Sequence, residues 1–262
     1  MNMKHKISLI MPCHNEGGEI YRNLHETVKT MNELREYNID YEIILVDDGS
    51  TDNTLKEAKL VKSNKIRLVS YKPNKGKGYA IKYGFQYAKG DLVTFVDSDL
   101  EIHPKQLLRF ASYIYEQNAD IVIGSKSHPD SIVSYPLKRK ILSKAYHVFV
   151  NILFGLHVGD TQSGLKLMRY TCAEKIIPKV VVKRYAFDLE LLVVAKKLGF
   201  KIKEAPIEVR FNFNKKGIGF KSVWPIFQDT LGIAYRKYIL QYYDRKGELP
   251  KVKKSFFGLF SW

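Results

Sequence analysis

Short apolar runs cut off by polar clusters, each followed by a stretch with helical spacing, constrain this chain more than any other feature. The runs are Lys6–Met11, Tyr41–Val46, Ile66–Tyr71, Asp91–Val96 and Ile121–Gly124. Between them lie Glu19–Glu36, with Ile20, Leu24, Val28, Met31 and Leu34 at helical intervals, then Thr51–Val61, Lys77–Ala88 and Pro104–Gln117. Thr51 or Asp52 suits the N-cap of the second helix, and Pro104 suits the first turn of the fourth. Strands that are apolar on both faces and alternate with helices predict a parallel sheet covered on two sides. In such sheets, ligands bind beyond the carboxyl ends of the strands. The residues to read for function are therefore Pro12–Glu16, Asp47–Ser50, Asp97–Glu101 and Gly124–Lys126.

The pattern changes after residue 126. Ser131–Lys144 reads as a basic loop, Ile141–Leu156 as an apolar helix, and Asp160–Arg169 as a polar segment entering a strand. Phe187–Leu198 reads as a helix, and Ile202–Phe211 as a strand that Pro206 places near a sheet edge. Asp229–Tyr243 reads as an amphipathic helix with Leu231, Ala234, Tyr235, Tyr238, Ile239 and Tyr242 on one face. Lys251–Trp262 is a basic cluster followed by aromatic residues.

Charge divides the chain in the same place. Of its 262 residues, 1–125 hold 17 Lys/Arg and 17 Asp/Glu, whereas 126–262 hold 26 and 10 and so carry the whole net charge of +16. A basic half implies an anionic partner. Nucleic acid is disfavoured, because carboxylates end three strands and no helix-turn-helix or RNA-recognition motif is present. The two cysteines, Cys13 and Cys172, lack any metal-binding spacing and read as reduced core thiols of a cytosolic protein. The five-residue apolar stretch Ile7–Met11 is too short for a signal peptide. Ala145–Gly159, the longest uncharged stretch, falls short of the roughly 20 residues that span a bilayer.

Three segments carry candidate chemistry. Asp97-Ser98-Asp99, with Glu101 two residues on, crowds carboxylates that repel unless a cation joins them, and oxygen ligands suit Mg²⁺ or Mn²⁺. The competing explanation is a helix N-terminus decorated with acids. Asp47-Asp48-Gly49-Ser50 can accept from a base or ribose, or can be a simple turn. Asn74-Lys75-Gly76-Lys77-Gly78 offers close backbone approach and phosphate-seeking lysines, although it lacks Walker A spacing.

Taken in order with Pro12-Cys13-His14-Asn15-Glu16, these segments resemble the family 2 inverting glycosyltransferases. The resemblance implies the GT-A fold, a Rossmann-like, mostly parallel sheet with helices on both faces. Gly124-Ser125-Lys126, Lys138-Arg139-Lys140-Ile141-Leu142-Ser143 and Asp160-Thr161-Gln162-Ser163-Gly164-Leu165-Lys166 look like the branch that glycosylates polyprenyl phosphates. They are closest to dolichyl-phosphate β-glucosyltransferases and partly shared with mannose synthases. Two departures stand out: Lys126 replaces the family's usual Arg, losing a bidentate fork, and Glu101 replaces the Gln usual in mannose synthases.

The resemblance implies a donor site of Pro12, His14, Asn15, Glu16, Asp47, Asp48, Gly76, Lys77, Asp97, Ser98 and Asp99 for a nucleotide-diphosphate sugar, UDP-glucose ahead of GDP-mannose. Asp97, Asp99 and Glu101 would hold Mg²⁺ or Mn²⁺, with Asp97 and Asp99 facing the sugar diphosphate as catalytic residues. The acceptor would be a polyprenyl or dolichyl monophosphate, met by Lys126, Arg139, Asp160, Gln162, Arg210, Lys215 and Lys221, with Lys126 and Arg139 catalytic. Asp188 and Glu190 match a carboxylate position that serves as base in relatives with hydroxyl acceptors, and here suggest an orienting role. The expected organisation is a catalytic domain over 1–215, its donor half at 1–125 and acceptor half at 126–215, and an amphipathic tail at 216–262. Ile141–Leu156 and Asp229–Tyr243 would lie at the cytoplasmic face of an anionic membrane as a peripheral attachment. Homo-oligomerisation is left open.

Overall fold

The computed structural model describes the backbone of residues 5–133, 137–184, 186–210 and 223–244, and the side chains of all of these except 137–144 and 223. The main sheet has seven strands in the order β3-β2-β1-β4-β7-β5-β8. These are β1 (His5–Cys13), β2 (Ile39–Asp48), β3 (Ile66–Tyr71), β4 (Leu92–Phe95), β5 (Ile121–Ser125), β7 (Lys166–Arg169) and β8 (Ile202–Pro206). β6 (Ile132–Val133) and β9 (Glu208–Val209) form a separate parallel pair. Every neighbouring pair in the main sheet is parallel except those made by β7, which runs antiparallel to both β4 and β5.

Strand alternation splits the apolar residues between two cores. Ile7, Leu9 and Met11 of β1 join Ile43 and Leu45 of β2 on the face covered by α1 (Ile20–Glu33) and α4 (Leu107–Glu116). Ile10, Ile44, Val46 and Phe95 point the other way, toward α3 (Lys77–Phe85), α6 (Tyr170–Ile176) and α7 (Phe187–Lys197). The two-faced cover predicted from continuous apolar strands is present.

Several sequence expectations shift. The helix foreseen over Thr51–Val61 shrinks to α2 (Thr54–Ala58), and at its start the Asp52 carboxylate accepts the Thr54 N–H and the Thr54 hydroxyl. The basic loop foreseen over Ser131–Lys144 instead contains β6 and the first turns of α5 (Leu137–Phe154). Lys138, Arg139 and Lys140 are good helix formers, and charge alone misled. The strand foreseen over Ile202–Phe211 divides at Ile207 into β8, the sheet's edge, and β9. Phe211 lies outside the described residues.

Residues 223–244, within the foreseen tail, form α8 (Val223–Ala234), a π-helical turn over Tyr235–Ile239 and a 3₁₀ turn over Tyr242–Asp244. Ile233, Arg236, Tyr242 and Tyr243 are buried against the domain, whereas Leu231, Tyr235, Tyr238 and Ile239 are exposed. The Tyr146 and Thr230 hydroxyls meet at 2.9 Å, and Phe149 packs on Phe227, so α8 lies along α5.

Candidate active site

Parallel register brings the strand ends together. Cys13 of β1 lies beside Asp47 of β2, Asp48 lies beside Tyr71 of β3, and the Val96 N–H donates to Ile10 just before Asp97. Because β7 is antiparallel, the polar segment 160–165 that enters it reaches the same edge. A Cβ on Gly164 would stand 2.6 Å from Asp97 Oδ2, so the backbone at Gly164 lies directly against that carboxylate.

The loops after β1 and β2 clasp each other. Asn15 N–H donates to Ser50 Oγ (3.0 Å), Thr51 N–H to Asn15 Oδ1 (2.9 Å), Glu16 N–H to Thr54 Oγ1 (2.8 Å) and Gly17 N–H to Asp52 Oδ2 (3.0 Å). Asp47 accepts the Ser50 N–H at 3.1 Å. Pro12 is buried at the end of β1, while His14 and Asn15 are exposed beyond it.

Asp48 has a role the sequence did not reveal. Its carboxylate accepts the N–H groups of Lys75 (2.7 Å) and Gly76 (2.8 Å), the Asn74 amide (3.0 Å) and the Tyr71 hydroxyl (2.8 Å). Both oxygens thus help to shape the 74–76 loop. Gly76, at φ +95°, takes a backbone conformation that other residues rarely adopt.

From that loop Lys77 reaches Asp97, 2.7 Å from Oδ1 and 3.0 Å from Oδ2, with Asp188 Oδ2 at 3.9 Å. Burial works against the Lys77 charge, but Asp97 and Asp188 more than offset it and hold the ammonium above the ordinary lysine value. Asp188 accepts in turn from Lys166 at 2.7 Å. Lys166 is fully buried and also donates to the Ser163 carbonyl. Burial drives the Lys166 pKa down against the pull of Asp188. Burial would raise the Asp188 carboxyl, but Lys166 and Lys77 together hold it below the usual carboxylate range. The result is a chain of alternating charge, Asp97–Lys77–Asp188–Lys166, that links both halves of the sequence.

Residues 8–177 match the family model described as glycosyl transferase family 2. The chain belongs to that family. It is 33% identical over 245 residues to a dolichyl-phosphate β-glucosyltransferase of Dictyostelium discoideum, covering 88% of this chain and 74% of the relative. It is 30% identical over 222 residues to a dolichyl-phosphate β-glucosyltransferase of Saccharomyces cerevisiae, covering 77% and 66%. The chain thus spans about two thirds to three quarters of these relatives' length. Glucosyl-3-phosphoglycerate synthase from Mycobacterium tuberculosis, solved with Mn²⁺, UDP and glucosyl-3-phosphoglycerate, superposes with a TM-score of 0.65 at 19% identity, covering 89% of this chain and 80% of that one. The same enzyme solved with Mg²⁺ and UDP gives 0.64 at 18%, covering 89% and 79%. The glycosyltransferase therefore has the GT-A fold foreseen from its motifs.

Asp97, Asp99 and Glu101, the carboxylates read from the sequence as metal ligands, follow directly on β4. Among the described residues, no three His, Cys, Asp or Glu side chains converge to hold an ion. Asp97 turns to Lys77, Asp99 Oδ1 accepts the Glu101 N–H at 3.1 Å, and Leu100, at φ +54°, turns the chain between Asp99 and Glu101. Ser98 is buried, its carbonyl accepting from Asn23 at 2.8 Å. One or two carboxylates still suit a hard divalent ion that takes its remaining ligands from substrate phosphate and water.

The acceptor candidates separate. Lys126 Nζ lies 2.6 Å from Asp160 Oδ2, and Asp160 Oδ1 accepts the Gln162 N–H at 2.9 Å, so these three form one cluster. Arg210 is linked by its backbone N–H to the Glu101 carbonyl at 2.8 Å, which sets it beside the acidic segment. Arg139 lies on α5, its side chain outside the description, and Lys215 and Lys221 lie outside the described residues.

The sequence carries a signal for the pairing of Lys166 with Asp188. Phe187–Ala195 is buried on all sides, so acids within it require partners, as does a lysine entering the apolar run Leu165–Met168.

Proposed function

We propose that this glycosyltransferase moves glucose from UDP-glucose to a dolichyl or polyprenyl monophosphate, at the surface of an anionic membrane. The observation that carries the reading is the state of Asp188. One of the two acids, with Glu190, that match the base position of relatives with hydroxyl acceptors, this carboxylate is buried, paired with Lys166 and Lys77, and held below the usual carboxylate range. A weakly basic, doubly paired carboxylate is poorly suited to take a proton. A phosphate acceptor needs no such transfer, because its oxygen is already anionic.

The acceptor oxygen attacks the anomeric carbon, the bond to the UDP oxygen breaks, and the configuration inverts. The work left to the protein is to hold two anions together. Lys77, reached through the glycine loop, sits where a donor diphosphate would meet Asp97. Lys126, oriented by Asp160, and Arg139 are the cations assigned to the acceptor phosphate. Mg²⁺ or Mn²⁺ on the donor diphosphate would neutralise charge on the departing UDP.

Membrane attachment is supported by the large apolar side chains that α5, α8 and the turn after α8 leave exposed. These are Val148, Ile152, Trp224, Leu231, Tyr235, Tyr238 and Ile239, with Ile152 82% accessible. Among the described residues no helix is long and apolar enough to cross a membrane. The basic second half suits anionic headgroups.

The test is transfer from UDP-glucose and GDP-mannose, with Mn²⁺, to dolichyl phosphate and to dolichol. Glucose on the phosphate alone is the expected product. Transfer to the free alcohol, or from GDP-mannose in preference, would overturn the reading.

A further inference from the structure

Glu190 lies in the first turn of α7, fully buried, where an unpaired carboxylate would be strongly unfavourable. Its two oxygens serve different parts of the chain. Oε2 accepts the N–H groups of Val181 (2.7 Å) and Val182 (2.6 Å). Oε1 accepts Arg236 Nε and lies beside Arg236 Nη2, each at 2.9 Å, and also accepts the Tyr243 hydroxyl. Arg236 is itself 1% exposed, so the pair is a closed, solvent-free tie between the segment before α7 and the turns after α8.

That segment is the wall on which the glycine loop rests. The Gly78 N–H donates to the Lys183 carbonyl at 2.8 Å. A Cβ on Gly76 would stand 2.6 Å from the same carbonyl, and one on Gly78 would stand 2.7 Å from the Val182 carbonyl. Lys82 Nζ donates to the Val180 carbonyl at 2.6 Å, and Lys179 Nζ to the Tyr243 carbonyl at 3.2 Å. The wall is thus held by α3 on one side and by Glu190 on the other.

We propose that Glu190 and Arg236 are positioning residues of the donor site. By fixing 181–184, the buried pair sets where the Gly76–Gly78 backbone and the Lys77 ammonium stand. The inference rests on reading that loop as the donor's cradle. The Lys126–Asp160 cluster shares none of these hydrogen bonds, so the effect belongs to the donor and not to the acceptor.

Arg236→Met should raise the donor KM roughly tenfold while the acceptor KM and kcat stay within about twofold, the pattern of lost uniform binding. Arg236→Lys, which still offers Glu190 a charged donor, should recover most of the loss. Calorimetry with UDP and Mn²⁺ on the wild type and both variants gives the same comparison without turnover. If the wild type itself fails to bind UDP, the donor reading falls and this inference falls with it. If the wild type binds and folded Arg236→Met binds equally well, this inference alone falls. It falls too if donor KM, acceptor KM and kcat all worsen in proportion. Should Arg236→Met fail to fold, Tyr243→Phe, which removes one hydroxyl from the tie, goes through the same measurements. A selective rise in donor KM supports the assignment, and an unchanged one overturns it.

Discussion

At the scale of single residues, two charges of this site, on Asp188 and Lys166, are cut off from bulk water. Asp188 and Lys166 are a buried pair, and removing one partner of such a pair costs on the order of 3–5 kcal/mol because the other charge is stranded. The pH dependence follows in sign. A carboxyl held below its unfolded pKa binds a proton less readily when folded, so its stabilisation is complete above the ordinary carboxylate range and is lost as pH falls through the folded value. In urea unfolding, the wild type should therefore exceed Asp188→Asn by several kcal/mol near neutrality. The gap should narrow progressively below about pH 4. A gap that does not change with pH would mean that Asp188 contributes by shape and not by charge.

At the scale of elements, the N-terminus of α3 makes the sharpest case. Alanine is the better helix former, so propensity alone predicts that Gly78→Ala would help by roughly 1 kcal/mol. Packing decides otherwise. The added Cβ would stand 2.6 Å from the Phe187 ring and 2.7 Å from the Val182 carbonyl, both in well-packed surroundings. Gly78→Ala is expected to destabilise by about 1–3 kcal/mol and to weaken UDP binding. Gly18→Ala, with nothing within 4 Å of the new atom, should leave both unchanged. Urea midpoints and UDP titrations of the two variants check this. The same element shows what the sequence could and could not tell. The glycines of 74–78 announced a close approach, and the structure supplies protein, the 182–187 segment, as one of the approaching groups. The parallel strands were legible because residues apolar on both faces have few other uses. The antiparallel β7 was not legible, since four residues carry no mark of direction. Nor was the pairing of Glu190 with Arg236, 46 positions away, because a buried acid declares the need for a partner but not which partner.

At the scale of the whole molecule, the charge divides along the sequence, and the basic half also leaves large apolar side chains exposed. The neutral first half supplies the loops after β1, β2 and β4, and the basic second half contains both α5 and α8. The apolar positions read as one face of the Asp229–Tyr243 helix prove to be largely its exposed side, while Ile233, Arg236 and Tyr243 face the core. A helix packed by its polar-containing side, with Tyr235, Tyr238 and Ile239 left outside, gains by meeting a second apolar phase. Two forces would then add, apolar burial and attraction of Lys and Arg to anionic headgroups at roughly 1 kcal/mol for each residue near the surface. They are separable because salt screens the second and not the first. Cosedimentation with vesicles containing phosphatidylserine should show strong binding at low salt that weakens steeply as salt rises. Ile152→Gln with Ile239→Gln, which adds no charge, should weaken binding about tenfold at every salt concentration, consistent with the ~25 cal/mol lost for each Å² of apolar surface no longer buried. The steepness of the salt dependence should stay near that of the wild type. Binding by the double variant that matches the wild type would place the membrane contact elsewhere on the protein.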